Sequence, residues 1–262
     1  MATLCLKILD VNNNIVCLSS GENEVNLACS REYTEGDRIV LESSDKNVHL
    51  WLQLDDALGK SLVYVTDFLS YKIPFGEKRA NLSPKVFHGG IHLLSVKMVK
   101  DYEIKAYRNL AVNVNDQHGE PGCYPHASAN VETRGEAVFA AKNAIDGVTL
   151  NLSHGSWPYQ SWGINQQNDA AIKIDFGRQV AVDRIILYTR ADFPHDNWWK
   201  KATFTFSDGS DMEVEMNKSS LPHEFTFERK EIRWVEMSHL IKSPEESPFP
   251  ALTQIEVYGT EI

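Results

Sequence analysis

The feature that most constrains this chain is its β-type alternation. Short runs rich in Val, Ile, Phe, Tyr and Thr are separated by Gly, Asn, Asp and Ser turns along most of its length. Period-two alternation places successive side chains on opposite faces of a strand. In HLWLQL (49–54), Leu50, Leu52 and Leu54 mark one buried face and Trp51 the other. Such runs predict strands at 4–9, 15–18, 24–28, 38–42, 49–54, 62–65, 91–98 and 103–107 in the first part. In the second part they predict strands at 171–175, 182–189, 202–206, 212–215, 224–227, 232–237 and 254–258. Phe176-Gly177 reads as a turn, and Asp208-Gly209 as a hairpin. Only EAVFAAKNAI (136–145) predicts a short helix. The fold class is therefore all-β, with two β-sandwich domains. The polar stretch 106–130, with its Gly and Pro and no sustained period, holds the boundary. This gives domains 1–107 and 108–262, and 262 residues are enough for both.

A net charge of −10 argues against non-specific nucleic-acid or anionic-membrane binding, which needs a basic face. No apolar run is long enough to insert into a membrane as a helix. MATLCLKILDVNNN has no basic segment followed by an apolar core, so a cytoplasmic chain is expected unless a signal was removed. Cys5, Cys17, Cys29 and Cys123 form no CxxC pair, which argues against a thiolate zinc site. Buried free thiols are the expectation for them.

Two segments carry more polar and aromatic residues than strands need. RADFPHDNWW (190–199) packs Arg190, Asp192, His195, Asp196 and three aromatic residues into an expected loop. HGSWPYQSW (154–162) adds His154, Trp157, Tyr159 and Trp162. Exposed loop aromatics are costly unless they meet a ligand or pack on a neighbouring loop. Asp196-Asn197 also has the composition of a simple turn. Trp198 and Trp199, as strand neighbours, are expected to face opposite ways.

The pieces AKNAIDG (141–147), SW (161–162), IDFGRQVAVDRIILYTR (174–190), FTFSDGS (204–210) and QIEVYG (254–259) occur in order. Together they resemble the galactose-binding-like jelly roll of discoidin (factor V/VIII C-type) domains and family 32 carbohydrate-binding modules, over about 126–262. The first half brings no such resemblance. The resemblance implies a lectin-like, non-catalytic module that recognises a glycan with loops at one end of the sandwich. His154, Trp157, Tyr159, Arg190, Asp192, His195, Asp196 and Trp198 are the candidate ligand-binding residues. Trp162 is expected in the core. Arg190 has two roles open, on the ligand or in an internal salt bridge. A pyranose suits such a set, because its C–H face stacks on aromatic rings and its hydroxyls need donors and acceptors.

The resemblance also implies a structural Ca2+ site, with Asp146 as side-chain ligand and Asn143, Val148 and Asn151 offering oxygens. The family's last-strand glutamate falls at Gln254, which brings no charge. The alternative is a plain Asp-Gly turn. Histidines and aspartates in the two loops can be drawn as an acid–base set, but no GxSxG, HExxH or P-loop is present. The N-terminal domain can extend the site or drive homo-oligomer formation. A protein-interaction module of discoidin type is the alternative function.

Overall fold

The computed structural model describes residues 1–119, 122–152, 154–192 and 197–262. The first strands are β1 (Thr3–Leu9), β2 (Ile15–Glu22), β3 (Glu24–Cys29), β4 (Arg38–Ser43), β5 (Val48–Gln53), β6 (Ser61–Val65), β7 (Leu69–Lys72) and β8 (His92–Met98). A four-residue helix, α1 (Asp101–Ile104), follows. Then come β9 (Arg108–Asn109), β10 (Cys123–Tyr124), β11 (His126–Ala129), β12 (Trp162–Gly163), β13 (Ile172–Thr189), β14 (Trp199–Phe206), β15 (Asp211–Glu215), β16 (His223–Lys242) and β17 (Ala251–Glu261).

Two antiparallel sheets, β2-β1-β4-β7 and β10-β6-β5-β8-β3, enclose the first core. Its alternation is the one the sequence displays: Leu4, Leu6 and Ile8, then Leu50, Leu52 and Leu54, are all fully buried. Trp51 lies on the other face, half-buried, and donates its indole N–H to Glu103 Oε1 at 2.9 Å. That glutamate also caps α1, accepting from the Lys100 N–H at 2.9 Å. This explains why 103–107, expected as a strand, begins in a helix.

Cys17 and Cys29 form a disulfide, which corrects the expectation of free thiols for this pair. β2 and β3 are edge strands of opposite sheets joined by a tight turn, so the bridge closes one side of the sandwich. Cys5 and Cys123 are free, and burial pushes the Cys123 thiol up to about 12.

The second core is wrapped by one sheet, β12-β17-β13-β16-β14-β15, with β11 on β13 and β9 on β17. Strands β13 and β16 are long and change register at bulges, so each serves both layers. The chain is all-β, and this unit is the jelly-roll-type sandwich implied by the resemblance. The expected turn at Phe176-Gly177 is a bend within β13. Gly177 has φ +70°, and a Cβ there would lie 2.4 Å from the Tyr124 ring, so only glycine fits without displacing it. The expected helix at 136–145 is two 3-10 turns, Ala137–Phe139 and Ala141–Ile145. Among the described residues no helix is long and apolar enough to cross a membrane.

The described residues of the boundary segment pack against both cores. Leu110 and Ala111 belong to the second core, whereas Val114 and Cys123 pack with the first. At this junction Glu261 takes Arg178 through both carboxylate oxygens and Arg108 at 2.6 Å, and His49 Nε2 lies 3.4 Å away. Arg178 also sits 5.0 Å above the Tyr64 ring. Burial alone would raise the Glu261 pKa, but His49 and Arg178 outweigh it and hold the carboxyl well below its ordinary range.

Candidate functional site

At the far end of the β13–β17 ladder the chain gathers its loops. Val180 pairs with Glu261 at the junction end, and Thr189 with Leu252 at the other. Arg190 follows directly, and its N–H donates to the Ala251 carbonyl at 2.9 Å. Its side chain is fully buried, so it lies under the surface and not on it. Nη1 donates to the Tyr159 carbonyl at 2.7 Å, which ties together the two loops singled out in the sequence. Nε is 3.7 Å from Asp192 Oδ1, too long for a hydrogen bond. Nε and Nη2 of Arg190, and Oδ1 of Asp192, have no hydrogen-bond partner among the described residues. Burial lowers the Arg190 pKa, and Asp192 opposes that shift.

Of the other expected residues, Trp157 and Tyr159 are half-buried and His154 is exposed. The Tyr159 ring lies 5.8 Å from His154. Trp198 is half-buried with its indole N–H 3.3 Å from Glu245 Oε1. Trp199 turns inward and meets Trp162 at 6.2 Å, both fully buried, as strand alternation requires. His195 and Asp196 lie outside the described residues.

Asn197 supplies a link that the sequence did not reveal. It is fully buried, and its amide N–H2 donates to the carbonyls of Glu245 and Ser247. Its Oδ1 accepts from the Trp198 N–H at 2.7 Å and the Ser243 hydroxyl at 2.9 Å. The segment 243–250 is thereby clamped to the Arg190 loop. It carries Pro248, Phe249 and Pro250 into one wall of a cleft of about 220 Å³.

The rest of that cleft comes from Thr133, Arg134 and Phe139, from His154, and from 163–166. Its apolar lining is Phe139, Ile164, Phe249 and the two prolines. Its polar lining is Arg134, His154, Asn165 and Gln166. Arg134, Asn165 and Gln166 have φ of 53°, 48° and 59°, so three non-glycine residues at one cleft adopt the left-handed conformation. Arg134 is fixed by Glu136 and stands 5.5 Å above the Phe139 ring. The Asn165 N–H is held by the Thr133 hydroxyl at 2.9 Å. Of the cleft's residues only His154 was anticipated. Phe249 between two prolines was the one local signal available.

Most of the expected calcium ligands hydrogen-bond within the protein, whereas Asn151 Oδ1 is buried with no partner among the described residues. Asp146 Oδ1 accepts from the Val148 N–H and Oδ2 from Gln160, each at 2.8 Å. Gln254 Oε1 accepts from the Gly147 N–H at 3.1 Å, and Asn143 Oδ1 from Asn81 at 2.7 Å. Asn151 donates to the Thr253 hydroxyl at 2.9 Å. Calcium needs six to eight oxygens facing it. N–H donors face the oxygens of Asp146, Gln254 and Asn143, and burial pushes the Asp146 carboxyl up to about 7. Arranged this way, those three side chains do not form an open calcium shell. They build a hydrogen-bonded Asp-Gly turn in which the uncharged Gln254 is the anchor.

A family profile described as "Domain of unknown function (DUF7402)" matches residues 124–257, just over half of the chain. The chain belongs to the DUF7402 family. No curated protein matches it. Among solved structures, chitosan-binding module 1 of a chitosanase/glucanase from Paenibacillus sp. IK-5 is similar at 21% identity and TM-score 0.41, over 58% of this chain and 98% of that one. The lectin domain of lectinolysin, complexed with Lewis B antigen, is similar at 20% identity and TM-score 0.44, over 58% and 96%. The family 32 module of C. perfringens NanJ, in complex with galactose, is similar at 18% identity and TM-score 0.39, over 50% and 91%. The DUF7402 match takes in the cleft walls at 133–139 and 163–166 and the segment that ends in Ala251.

Proposed function

We propose that this DUF7402 protein binds carbohydrate, without turnover, in the cleft at the loop end of its second sandwich. The observation that carries the reading is the cleft's mixed lining: apolar Phe139, Ile164 and Phe249 together with exposed, polar Arg134, His154, Asn165 and Gln166. A sugar offers the complement, an apolar C–H face and a ring of hydroxyls. The left-handed backbone at Arg134, Asn165 and Gln166 supports the same reading, because such strain concentrates at ligand sites. Trp157, Tyr159 and Trp198 extend the surface beside the cleft. Arg190, buried, holds the Tyr159 loop in place through the Tyr159 carbonyl. The resemblance to carbohydrate-binding modules read from the sequence points to the same ligand class. The cleft is small, so a single sugar binds weakly and affinity comes from longer glycans or repeated sites.

A glycan array probed with the full chain tests this. Binding is expected to one related set of glycans and to fall about tenfold in Phe249→Ala, as loss of one stacking ring predicts. Phe249 is 44% exposed, so that variant folds normally. An array with no glycan retained, together with saturable capture of a defined protein ligand that Phe249→Ala abolishes, establishes the interaction-module alternative instead.

A further inference from the structure

A second cluster lies in the first sandwich, away from the cleft. β5 and β8 are neighbours, with Gln53 paired to Ser95. The turn after β5, Asp55-Asp56, therefore lies beside His92, the first residue of β8. Asp55 and His92 are 2% and 1% exposed, and Asp56 opens to solvent. One ligand atom from each residue falls within 4.8 Å of the others.

The contacts of His92 make this more than a buried pair. Nε2 is 2.9 Å from the Gly89 carbonyl, which only accepts, so Nε2 carries a hydrogen. Nδ1 is 3.1 Å from Asp55 Oδ2. The 3.1 Å between Nδ1 and Asp55 Oδ2 is occupied either by a second ring proton, which makes His92 an imidazolium facing a carboxylate, or by a metal ion that both atoms bind. Among the described residues no lysine or arginine pairs with Asp55 or Asp56. The remaining carboxylate oxygens are already oriented: Asp55 Oδ1 accepts from the Ala57 N–H at 2.9 Å, and Asp56 Oδ1 from the Leu93 N–H at 3.2 Å. Tyr33 stacks on His92 at 4.0 Å and is 7% exposed, and its buried hydroxyl has no hydrogen-bond partner.

We propose that His92 Nδ1, Asp55 and Asp56 bind a zinc-class divalent ion, with water completing the shell on the Asp56 side. Zinc bonds of about 2.1 Å place tetrahedral ligands roughly 3.4 Å apart, close to the Nδ1–Oδ2 separation. The Gly89 carbonyl is the outer-shell partner that fixes a metal-bound imidazole's tautomer. A ring nitrogen among the ligands favours a transition ion over calcium or magnesium. The cysteine spacing excluded only a thiolate site. This one joins residues 36 or more positions apart in the sequence. Its role is to pin the turn after β5 to the start of β8.

The test is calorimetric titration of the chelator-treated full chain with zinc, with cobalt(II) absorption reporting geometry. One equivalent is expected, with affinity falling at least tenfold in Asp56→Asn. Asp56 is exposed, so this variant keeps the fold even if His92→Asn does not. Equal zinc binding by wild type and Asp56→Asn, or no binding by either, overturns the proposal. So does a nitrogen-15 spectrum in which both His92 ring nitrogens remain protonated beside saturating zinc.

Discussion

Two arginines stand at opposite ends of one ladder and differ in what surrounds them. Arg178, at the junction of the two cores, has Glu261 on its guanidinium, the Phe176 carbonyl at 2.6 Å and the Tyr64 ring alongside. Arg190, at the loop end, has one carbonyl, and two of its nitrogens have no hydrogen-bond partner among the described residues. A buried charge with its hydrogen bonds complete is what a structural joint needs. A buried charge with donors to spare, under a cleft, holds loops for another purpose. The contrast separates the end of the sandwich that secures the fold from the end proposed to meet a glycan.

The largest effect that can break this contrast is at the joint. Glu261→Gln leaves Arg108 and Arg178 without their carboxylate and should cost about 3 kcal/mol in denaturant unfolding. The Glu261 pKa is depressed in the fold, so its contribution is present above the ordinary carboxyl value of 4.5 and is lost as pH falls below it. The stability gap between wild type and Glu261→Gln should therefore narrow below pH 4.5. A gap that stays constant across that range removes the ion-pair explanation.

Next comes the bridge between β2 and β3. Cys17→Ser with Cys29→Ser should lower the stability of the first sandwich by about 2–3 kcal/mol and leave glycan binding unchanged. Separate probes of Trp51 and Trp162 fluorescence would show which core responds.

A smaller loss, about 1–2 kcal/mol, is expected for Asn197→Ala, which releases segment 243–250. It should weaken glycan binding severalfold through Phe249 without touching the cleft itself. Unchanged binding would show that the clamp does not matter to the site.

The smallest stability effect is expected where the sequence seemed to place the greatest emphasis. Arg190→Met removes a buried charge with unpaired donors and should change stability by no more than about 1 kcal/mol, while glycan binding falls with the Tyr159 loop. Arg178→Met should do the reverse.

The fold was legible because alternation is local: Leu50, Leu52 and Leu54 declare a face within six residues, and Trp162 reads as core from its motif. The disulfide was less so, because Cys17 and Cys29 belong to edge strands of different sheets whose proximity appears only in the folded sandwich. The helix at 101–104 depends on a Glu103 cap, which strand-like 103–107 conceals. The cleft was least legible. Its residues come from four separate segments, and Arg134, Asn165 and Gln166 matter through backbone conformation as much as through side-chain type. The Arg190–Tyr159 bond ties the two aromatic loops together, and of the two roles open for Arg190 its burial favours the internal one over direct contact with a ligand.

The most direct measurement is an amide proton–nitrogen spectrum of the full chain titrated with a glycan retained on the array. Carbohydrate binding in the cleft predicts saturable shifts concentrated at 133–139, 154–166 and 249–251, with the Glu261 joint unchanged. Saturable shifts centred elsewhere, or none at saturating glycan, would contradict it.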